Sequence, residues 1–215
     1  MVDLMAREPT RDTPANASRR RLAWRAGWGI MAFCALAVTV WGLAFVFVDS
    51  AGDPALKTRY LRTPWAMYAH ILGGAAALGV GAFQFLAGLR AARPALHRTL
   101  GRVYLVGVLV GGVGGLRLAT FSAGGWVGHV GFGALSTAWL LATLIGYLRL
   151  RKGAAGGHGA WMVRSYALTL AAVTIRIYLP LLQSLSLGFE RSMAIVSWSS
   201  WITNLLLAEW ILRRR

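Results

Sequence analysis

Four histidines are the residues of this sequence best suited to bind a metal ion, because imidazole is a common ligand for iron and other transition metals. They are His70, His97, His129 and His158, and each lies at the start of one of four consecutive apolar segments. Successive membrane helices alternate in direction, so His70 and His129 are expected near one membrane surface and His97 and His158 near the other. About 25 Å of helical rise separates the two levels. One ion therefore cannot bind all four histidines, which leaves two pairs to consider.

Each histidine heads a stripe of small or polar residues at i+3, i+4 and i+7 spacing along its helix. Such stripes face the interior of a membrane bundle rather than lipid, so all four histidines are expected to point inward. The stripes are Gly74, Ala77, Gly81, Gln84 and Gly88 after His70; Gly101, Tyr104, Val108, Gly111 and Gly115 after His97; Gly133, Ser136, Leu140, Thr143 and Tyr147 after His129; and Met162, Ser165, Thr169, Ala172 and Arg176 after His158.

A weak internal repeat relates these helices in pairs. HILGG at 70–74 corresponds to HVGFG at 129–133, and LHRTLGR at 96–102 corresponds to HGAWMVR at 158–164. Two hairpins in the same orientation predict a pseudo-twofold axis along the membrane normal. Such an axis would bring His70 toward His129 and His97 toward His158.

One histidine on each of four consecutive helices, at alternating levels and with His-x-x-x-Gly spacing, resembles the pattern of the cytochrome b561 family. The resemblance implies a four-helix core that holds two b-type haems, each between two histidines. The implied outer ligands are His70 and His129, and the implied inner ligands are His97 and His158. It further implies a transmembrane electron carrier whose partners are a quinol or another redox protein.

Arg176 lies in the outer third of the fifth apolar segment and shares the stripe of His158. Its guanidinium stays charged and must find an anion, carbonyl groups or water. If haem is bound, we expect Arg176 to hold a propionate at the outer site. Asn204 is expected to form an interhelical hydrogen bond. Glu209 is expected to form an ion pair in one of two ways. Its partner is either Arg213, one turn away on the same helix, or an arginine of another helix, Arg102 or Arg164.

A second resemblance rests on longer stretches of sequence. LHRTLGRVYL, HGAWMVRSYALTLAAVTIRIYLP and NLLLAEW resemble an uncharacterised bacterial family of predicted membrane proteins, domain of unknown function 2306, over most of the chain after residue 60. This resemblance implies no particular activity. It does imply one shared signature, formed by His97, Arg98, Gly101, Arg102, Trp161, Met162, Arg164, Arg176, Asn204 and Glu209.

The elements that must position these residues are membrane helices. The 215-residue chain is 57% hydrophobic and 14% charged, with a mean hydropathy of +0.55, which excludes an ordinary soluble or disordered protein. We therefore predict an all-α polytopic bundle in which helices 2–5 form the core, residues 26–215 form one transmembrane domain and residues 1–25 form a flexible basic tail. The six stretches long enough to cross a bilayer lie near 26–48, 65–89, 99–121, 126–148, 160–182 and 192–212.

Basic residues set the expected orientation. The tail, the second and fourth loops and the C-terminus hold most of the 23 Lys and Arg residues, which predicts that both termini are cytoplasmic. We expect a multi-pass protein of the bacterial inner membrane, in contact with the lipid bilayer. The net charge of +16 is clustered between apolar runs rather than along one face, which argues against a nucleic-acid partner.

Catalytic signatures for other chemistry are absent from the sequence. It contains no HExxH, GxSxG or P-loop motif, and the presence of only seven acidic residues argues against carboxylate-pair catalysis. Two alternatives to an electron carrier stay open. One is a non-haem transporter with Gln84, Arg176, Asn204 and Glu209 along a polar path, and the other is an assembly or regulatory partner of another membrane complex.

Overall fold

The computed structural model describes residues 14–52 and 54–214, and these residues form helices and short connections without a β-strand. The helices are α1 (Pro14–Phe47), α2 (Pro54–Tyr60), α3 (Pro64–Gly81), α4 (Ala87–Ala92), α5 (Pro94–Ala119), α6 (Gly125–Arg151), α7 (Ala155–Thr169), α8 (Ala171–Ser184) and α9 (Phe189–Arg213), with a 3-10 turn at Ala82–Phe85.

Among the described residues, six helical segments are long and apolar enough to cross a membrane, which confirms the predicted polytopic bundle. They are the first span Arg21–Phe47, the second Pro64–Phe85, the third Pro94–Ala119, the fourth Gly125–Arg151, the fifth Gly157–Ser184 and the sixth Phe189–Arg213. We call the end of the bundle with residues 86–93 and 152–154 the basic end. The opposite end, with residues 48–63, 120–124 and 185–188, is the distal end.

The first helix begins earlier than the sequence predicts. α1 starts at Pro14, so its helix includes residues 14–25 of the segment assigned to the tail, and residues 1–13 lie outside the described residues. This helix packs on the outside of the bundle against the second span. Ile30 and Phe33 are about two-thirds and three-quarters exposed, as expected of side chains that face lipid.

Glycines bring the second and third spans into backbone contact. A Cβ atom on Gly111 would lie 2.9 Å from the Gly74 nitrogen, and one on Gly73 would lie 2.5 Å from the Gly111 nitrogen. At Gly114 a Cβ would lie 2.7 Å from both the Ala66 carbonyl oxygen and the His70 nitrogen. The association of helices in a bilayer depends on close van der Waals packing. These glycines therefore allow the second and third spans to pack backbone against backbone.

The fifth span is broken near the middle of the membrane. α7 ends at Thr169, α8 begins at Ala171, and the Val173 N–H donates to the Leu170 carbonyl at 2.9 Å instead of continuing the i−4 pattern. Asn204 of the sixth span bonds to both sides of the break, with Nδ2 donating to the Ala167 carbonyl at 3.1 Å and Oδ1 accepting from Thr174 Oγ1 at 3.0 Å. The expected interhelical role of Asn204 is confirmed.

A buried hydroxyl network joins the third, fourth and fifth spans at the level of this break. Tyr104 Oη lies 2.7 Å from Ser165 Oγ and 3.0 Å from Thr169 Oγ1, and Thr143 Oγ1 lies 2.6 Å from Ser165 Oγ. Trp139 Nε1 donates to Thr169 Oγ1 at 2.8 Å. Four of these residues come from three of the predicted stripes, Trp139 lies outside the stripes, and all five are buried, so the stripes face inward at this depth.

Candidate functional site

A cavity of about 500 Å³ occupies the distal half of the bundle, and residues from all six spans line it. Its walls are mainly aliphatic and aromatic side chains. Trp139, Leu168 and Thr169 form its deep end, and Tyr60 and Phe189 lie at its distal end. Arg176 and His70 are its ionisable groups together with Tyr60. A volume of this size is typical of small-molecule sites, in which a few polar groups orient a mostly apolar ligand.

Arg176 lines this cavity without a carboxylate partner among the described residues. Its Nη1 donates to the Ala172 carbonyl of its own helix at 2.6 Å, and its Cζ lies 4.4 Å from the centre of the Trp41 ring. A guanidinium has five N–H donors, so this one bond leaves several of them for a ligand, while Trp41 holds the group in place by a cation–π contact.

The distal carboxylates that the structure describes are bound elsewhere. Asp49 lies 3.6 Å from Lys57 Nζ. Glu190 accepts from Arg59 at 3.3 Å and from the Gly124 N–H at 2.5 Å, where the positive φ of Gly124 turns the chain. The remaining distal acid, Asp53, lies outside the described residues. Arg176 is thus a cation in an apolar cavity whose described acidic neighbours are already engaged.

His70 presents one ring nitrogen to the protein and leaves the other for a ligand. Its Nδ1 lies 2.9 Å from the Gly111 carbonyl oxygen. Because a carbonyl only accepts, Nδ1 carries the hydrogen and Nε2 keeps a free lone pair. The close approach of the second and third spans makes this bond possible, since Gly115 leaves room for the ring. Gly74, one turn below, borders the cavity, where a Cβ would meet no atom within 4 Å.

Two further side chains add polarity to the cavity wall. Ser136 Oγ would lie 2.7 Å from a Cβ on Gly115, and the same Cβ would lie 2.9 Å from His70 Nδ1, so the hydroxyl and the ring are neighbours. Tyr60 lies close enough to Arg176 for the guanidinium charge to act on its phenol. Burial raises the pKa of Tyr60, and the charges of Arg176 and Arg59 partly offset this rise, so the phenol is neutral and able to donate a hydrogen bond.

His129 does not join His70 at this cavity. Its Nε2 donates to the Ser122 carbonyl at 3.1 Å, which directs the ring back toward the distal loop, and it does not line the cavity. The pseudo-twofold axis predicted from the repeat therefore does not bring these two histidines onto one ligand in this structure. The reason is local, because residues 122–125 turn tightly ahead of the fourth span and place a carbonyl within reach of the ring.

The two histidines of the basic end lie near each other. His97 is near enough to His158 and Arg90 for their charges to act on it. His158 Nδ1 donates to the Gly146 carbonyl at 2.9 Å, whereas His97 Nδ1 is buried without a hydrogen-bond partner. Gln84 Nε2 is likewise buried and unpartnered, and its Oε1 would lie 3.5 Å from a Cβ on Gly101. The two predicted inner residues and Gln84 thus form a polar layer.

Glu209 pairs with Arg164 rather than with Arg213 or Arg102. The guanidinium and carboxylate form a two-bond pair between the fifth and sixth spans, which settles the alternatives left open by the sequence. Arg164 also lies over the Trp161 ring, with 4.8 Å from Cζ to the ring centre. This pair ties helices together at the basic end and is not part of the distal cavity.

Trp41 and Tyr60 line the cavity and were not identified by the sequence analysis. Both lie outside the four-histidine segments, one on the first span and one on α2, so the stripe analysis could not include them. A signal for Trp41 does exist in the sequence. Tryptophans of membrane proteins concentrate at the ends of spans, and this one lies within the apolar run of the first span.

The distal cavity offers one of the two histidine ligands that were expected for a b-type haem. His70 Nε2 could bind iron while the Gly111 carbonyl orients the ring, Gly74 leaves space beside it, and Arg176 could hold a propionate. The second expected ligand, His129, is turned away. No group of three or more His, Cys, Asp or Glu that could hold a metal ion occurs in the part of the chain that the structure describes.

The comparison with known protein families agrees with one of the two resemblances. A family model described as Predicted membrane protein (DUF2306) matches residues 67–212, from the second span to the sixth. All ten residues of the expected signature lie within this range, and the first span precedes it. No curated protein and no solved structure matches the chain. The resemblance to cytochrome b561 stays a prediction.

Proposed function

The chain belongs to the DUF2306 family of predicted membrane proteins, and we propose that within the bilayer it binds an amphipathic anion, with the acidic group on Arg176 and the apolar part in the distal cavity. The observation that carries this proposal is an Arg176 guanidinium that lines an apolar cavity without a described carboxylate partner. An unpaired charge in a membrane is costly, and a carboxylate or phosphate matches the guanidinium in charge and in geometry.

The other polar groups of the cavity set the orientation of such a ligand. Tyr60 donates beside Arg176, so the acidic group lies at the distal end of the cavity. Leu168 and Trp139 then receive the apolar part toward the middle of the membrane. His70 Nε2 accepts a hydrogen bond or a proton from a ligand hydroxyl on the opposite wall. Fatty acids and anionic lipids share the required chemistry.

The test is a binding measurement on the purified full-length protein. cis-Parinaric acid, a fluorescent carboxylate with an apolar chain, serves as the probe. Arg176→Gln is expected to weaken binding by about ten- to a hundredfold, the range of one charge-assisted hydrogen-bonded contact, and Arg176→Lys by less. The matched control is Arg117→Gln, because Arg117 lies at the same end, does not line the cavity, and contacts Thr120 and Phe121.

Two results would overturn this function. One is equal binding of the probe by the wild type and by Arg176→Gln in protein that elutes as a single species. The other is an equal loss of binding in Arg117→Gln, which would show that surface charge, and not the cavity, recognises the probe. Mass spectrometry of solvent extracts from the purified protein then identifies whether the bound anion is a fatty acid or a phosphate-bearing lipid.

Haem b is the second candidate ligand, since it is itself an amphipathic anion. The free Nε2 of His70, the open space beside Gly74 and the unpaired Arg176 support it. Protein from haem-supplied cells would then show b-type absorption bands that His70→Ala removes and His129→Ala leaves. Loss of the bands in both variants would instead support the bis-histidine pair predicted from the sequence. A colourless wild type excludes haem and leaves the amphipathic anion unaffected.

Displacement of the fluorescent probe distinguishes a quinone ligand from an amphipathic anion. A neutral quinone accepts hydrogen bonds from Arg176 but does not neutralise its charge. We expect a short-chain ubiquinone to displace cis-parinaric acid less strongly than a fatty acid of similar length. Stronger displacement by the quinone would favour the predicted electron carrier over a carrier or sensor of lipid anions.

A further inference from the structure

We propose that the basic end of the bundle binds a phosphate group in the gap between Gln84 of the 3-10 turn and His97 of the third span. The phosphate belongs either to an anionic lipid or to free phosphate, since both present the same oxygens. This site is separate from the distal cavity and does not depend on the ligand proposed there. It rests on two buried polar atoms without partners, on two nearby arginines, and on the lack of a competing carboxylate among the described residues.

Two buried nitrogen atoms border this gap without a hydrogen-bond partner. They are Gln84 Nε2 and His97 Nδ1. The amide nitrogen carries two hydrogens, and an imidazole donates from the nitrogen that carries its hydrogen. Buried polar atoms in proteins are nearly always paired, because an unpaired one loses its hydration without gaining a bond. The two nitrogens therefore call for an acceptor from outside the chain.

Gln84 and His97 are neighbours across Gly101. Gln84 Oε1 would lie 3.5 Å from a Cβ on Gly101. Gly101 follows His97 by one helical turn, so the two Cβ positions lie about 5–6 Å apart on one face of α5. Hydrogen bonds of about 2.9 Å to different oxygens of one anion bridge a separation of this size. Glycine at position 101 keeps the gap between the amide and the imidazole open.

The Gln84 amide lies on an anchored segment. Gln84 belongs to the 3-10 turn that ends the second span. On one side of it, Trp28 Nε1 of the first span donates to the Ala82 carbonyl at 2.9 Å. On the other side, Phe85 packs against Tyr166 of the fifth span, with 5.2 Å between ring centres. Because both flanks are held, little conformational freedom is lost when the amide binds a ligand.

Arginines supply positive charge beside the gap. Arg90 of α4 and Arg98 of α5 are exposed, and both are near enough to His97 for their charges to act on it. The described ion pairs do not include either arginine, and Glu209, the described acid of this end, is engaged by Arg164. The surroundings of His97 therefore attract an anion and repel a metal cation.

The depth of the gap favours a phosphate over other anions. His97 lies in the first turn of the third span and Gln84 near the end of the second, which is the level of the lipid headgroups. Basic pockets between spans at this level bind the headgroups of anionic lipids. A phosphate also presents several acceptor oxygens in different directions, so that an amide, an imidazole and guanidinium groups can bind it together.

The experiment measures thermal unfolding of the full-length protein in dodecyl maltoside, a detergent without charge. One arm adds inorganic phosphate, a second adds dioleoyl phosphatidylglycerol, and potassium chloride at equal ionic strength controls for salt. A ligand that binds the folded state raises the unfolding temperature. Stabilisation by phosphatidylglycerol alone identifies a lipid headgroup as the source, and stabilisation by both additions shows that free phosphate is sufficient.

Gln84→Leu keeps the size of the side chain and removes the unpartnered donors. Without phosphate, we expect it to unfold at the same temperature as the wild type or higher, because an unsatisfied buried amide is removed. The concentration that gives half of the stabilisation should rise about tenfold or more, the range for one hydrogen bond to a charged group. Gln183→Leu makes the same change at an exposed residue near the distal end and should leave the response unchanged.

Arg90→Gln is a second variant, chosen because an exposed arginine can be replaced without disturbing the packing of the helices. It should weaken the response to phosphate in the same direction as Gln84→Leu. Arg151→Gln is its matched control at the same end, since Arg151 contacts Tyr147 and is not among the charges that act on His97.

Arg176→Gln separates this site from the distal cavity, because phosphatidylglycerol is itself an amphipathic anion. The stabilisation that remains in Arg176→Gln belongs to the basic end and should be lost when Gln84→Leu is added. The proposal is overturned if neither addition stabilises Arg176→Gln, or if Gln84→Leu leaves that stabilisation intact. It is also overturned if Gln84→Leu destabilises the protein equally with and without phosphate, since the amide would then be a structural contact. Binding of cis-parinaric acid tests the distal cavity independently of each of these results.

Discussion

Arg164 and Glu209 are joined by two parallel hydrogen bonds, with Nε 2.5 Å from Oε1 and Nη2 2.9 Å from Oε2. The pair links the fifth and sixth spans. Glu209→Gln removes the negative charge and leaves Arg164 with a weaker acceptor, so we expect a loss of about 1 kcal/mol in stability for this partly exposed pair. Thermal unfolding in detergent, as a double-mutant cycle with Arg164→Gln, measures the coupling. Arg213→Gln is the control, and an equal loss there would contradict the pairing.

Gly111 and Gly133 provide a matched test of the second and third spans. Alanine at Gly111 would place a Cβ 2.9 Å from the Gly74 nitrogen, whereas alanine at Gly133 meets its nearest atom, Ala119 Cβ, at 4.0 Å. Backbone atoms cannot move aside as a flexible side chain can. We expect Gly111→Ala to reduce the yield of monodisperse protein severalfold and Gly133→Ala to leave it unchanged, as measured by size-exclusion chromatography. Equal yields would show that the two spans are not held at this distance.

Tyr60 gives the cavity a measurable pH response. Burial raises its pKa above the ordinary value of 10.0, and the charges of Arg176 and Arg59 partly offset this rise. The difference in absorbance at tyrosinate wavelengths between wild type and Tyr60→Phe should therefore titrate above pH 10, and Arg176→Gln should move the midpoint higher. The pKa of Tyr60 is higher in the folded protein than in the unfolded chain. The stability that the neutral, buried phenol contributes is therefore fully present below the pKa of the unfolded chain, and it is lost as the pH rises through the pKa of the folded protein. A midpoint below 10 would contradict the burial of the phenol.

The basic end is predicted to be cytoplasmic. Alkaline phosphatase fusions after residues 55, 124 and 187 should be active and fusions after residues 95 and 154 inactive, because arginine-rich loops are retained on the cytoplasmic side. The reporter is active only outside the cytoplasm, where its disulfides form, so enzyme activity in a bacterial host measures both sets. Reversed activities would invert the two ends and place the Arg176 cavity in the inner leaflet.

The helices and the inward stripes could be predicted from the sequence because both follow from local rules. Span length follows from bilayer thickness, and the faces with Tyr104, Ser165 and Thr169 follow from helical periodicity. Arg176 was predicted to need an anion, carbonyl groups or water, and in the structure it donates to the Ala172 carbonyl and has no carboxylate partner among the described residues. These features depend on one helix at a time, which is why periodicity and charge were sufficient to find them.

Features that depend on two helices were predicted less well. Whether His70 faces His129 depends on a turn at residues 122–125 that has no signal in the repeat. The contact of Trp41 with Arg176 depends on where the first span docks, and lipid-facing helices carry little information on docking. The choice of Arg164 over Arg213 for Glu209 depends on the rotation of the sixth span. Each outcome follows from distances between elements, which spacing within one element does not determine.

The break in the fifth span has a mechanical consequence. Because the Val173 N–H donates to the Leu170 carbonyl instead of the Thr169 carbonyl, one i−4 hydrogen bond is missing there, and bending at this point strains fewer hydrogen bonds than bending elsewhere in the span. Arg176 lies on one side of this hinge and Ser165 on the other, and Asn204 of the sixth span holds both sides through Thr174 and Ala167. A tilt of the outer half would widen the cavity and shift Thr169 relative to Tyr104. The volume of the cavity and the hydrogen bond between Thr169 and Tyr104 would then change together, and the two hydrogen bonds of Asn204 would oppose the change.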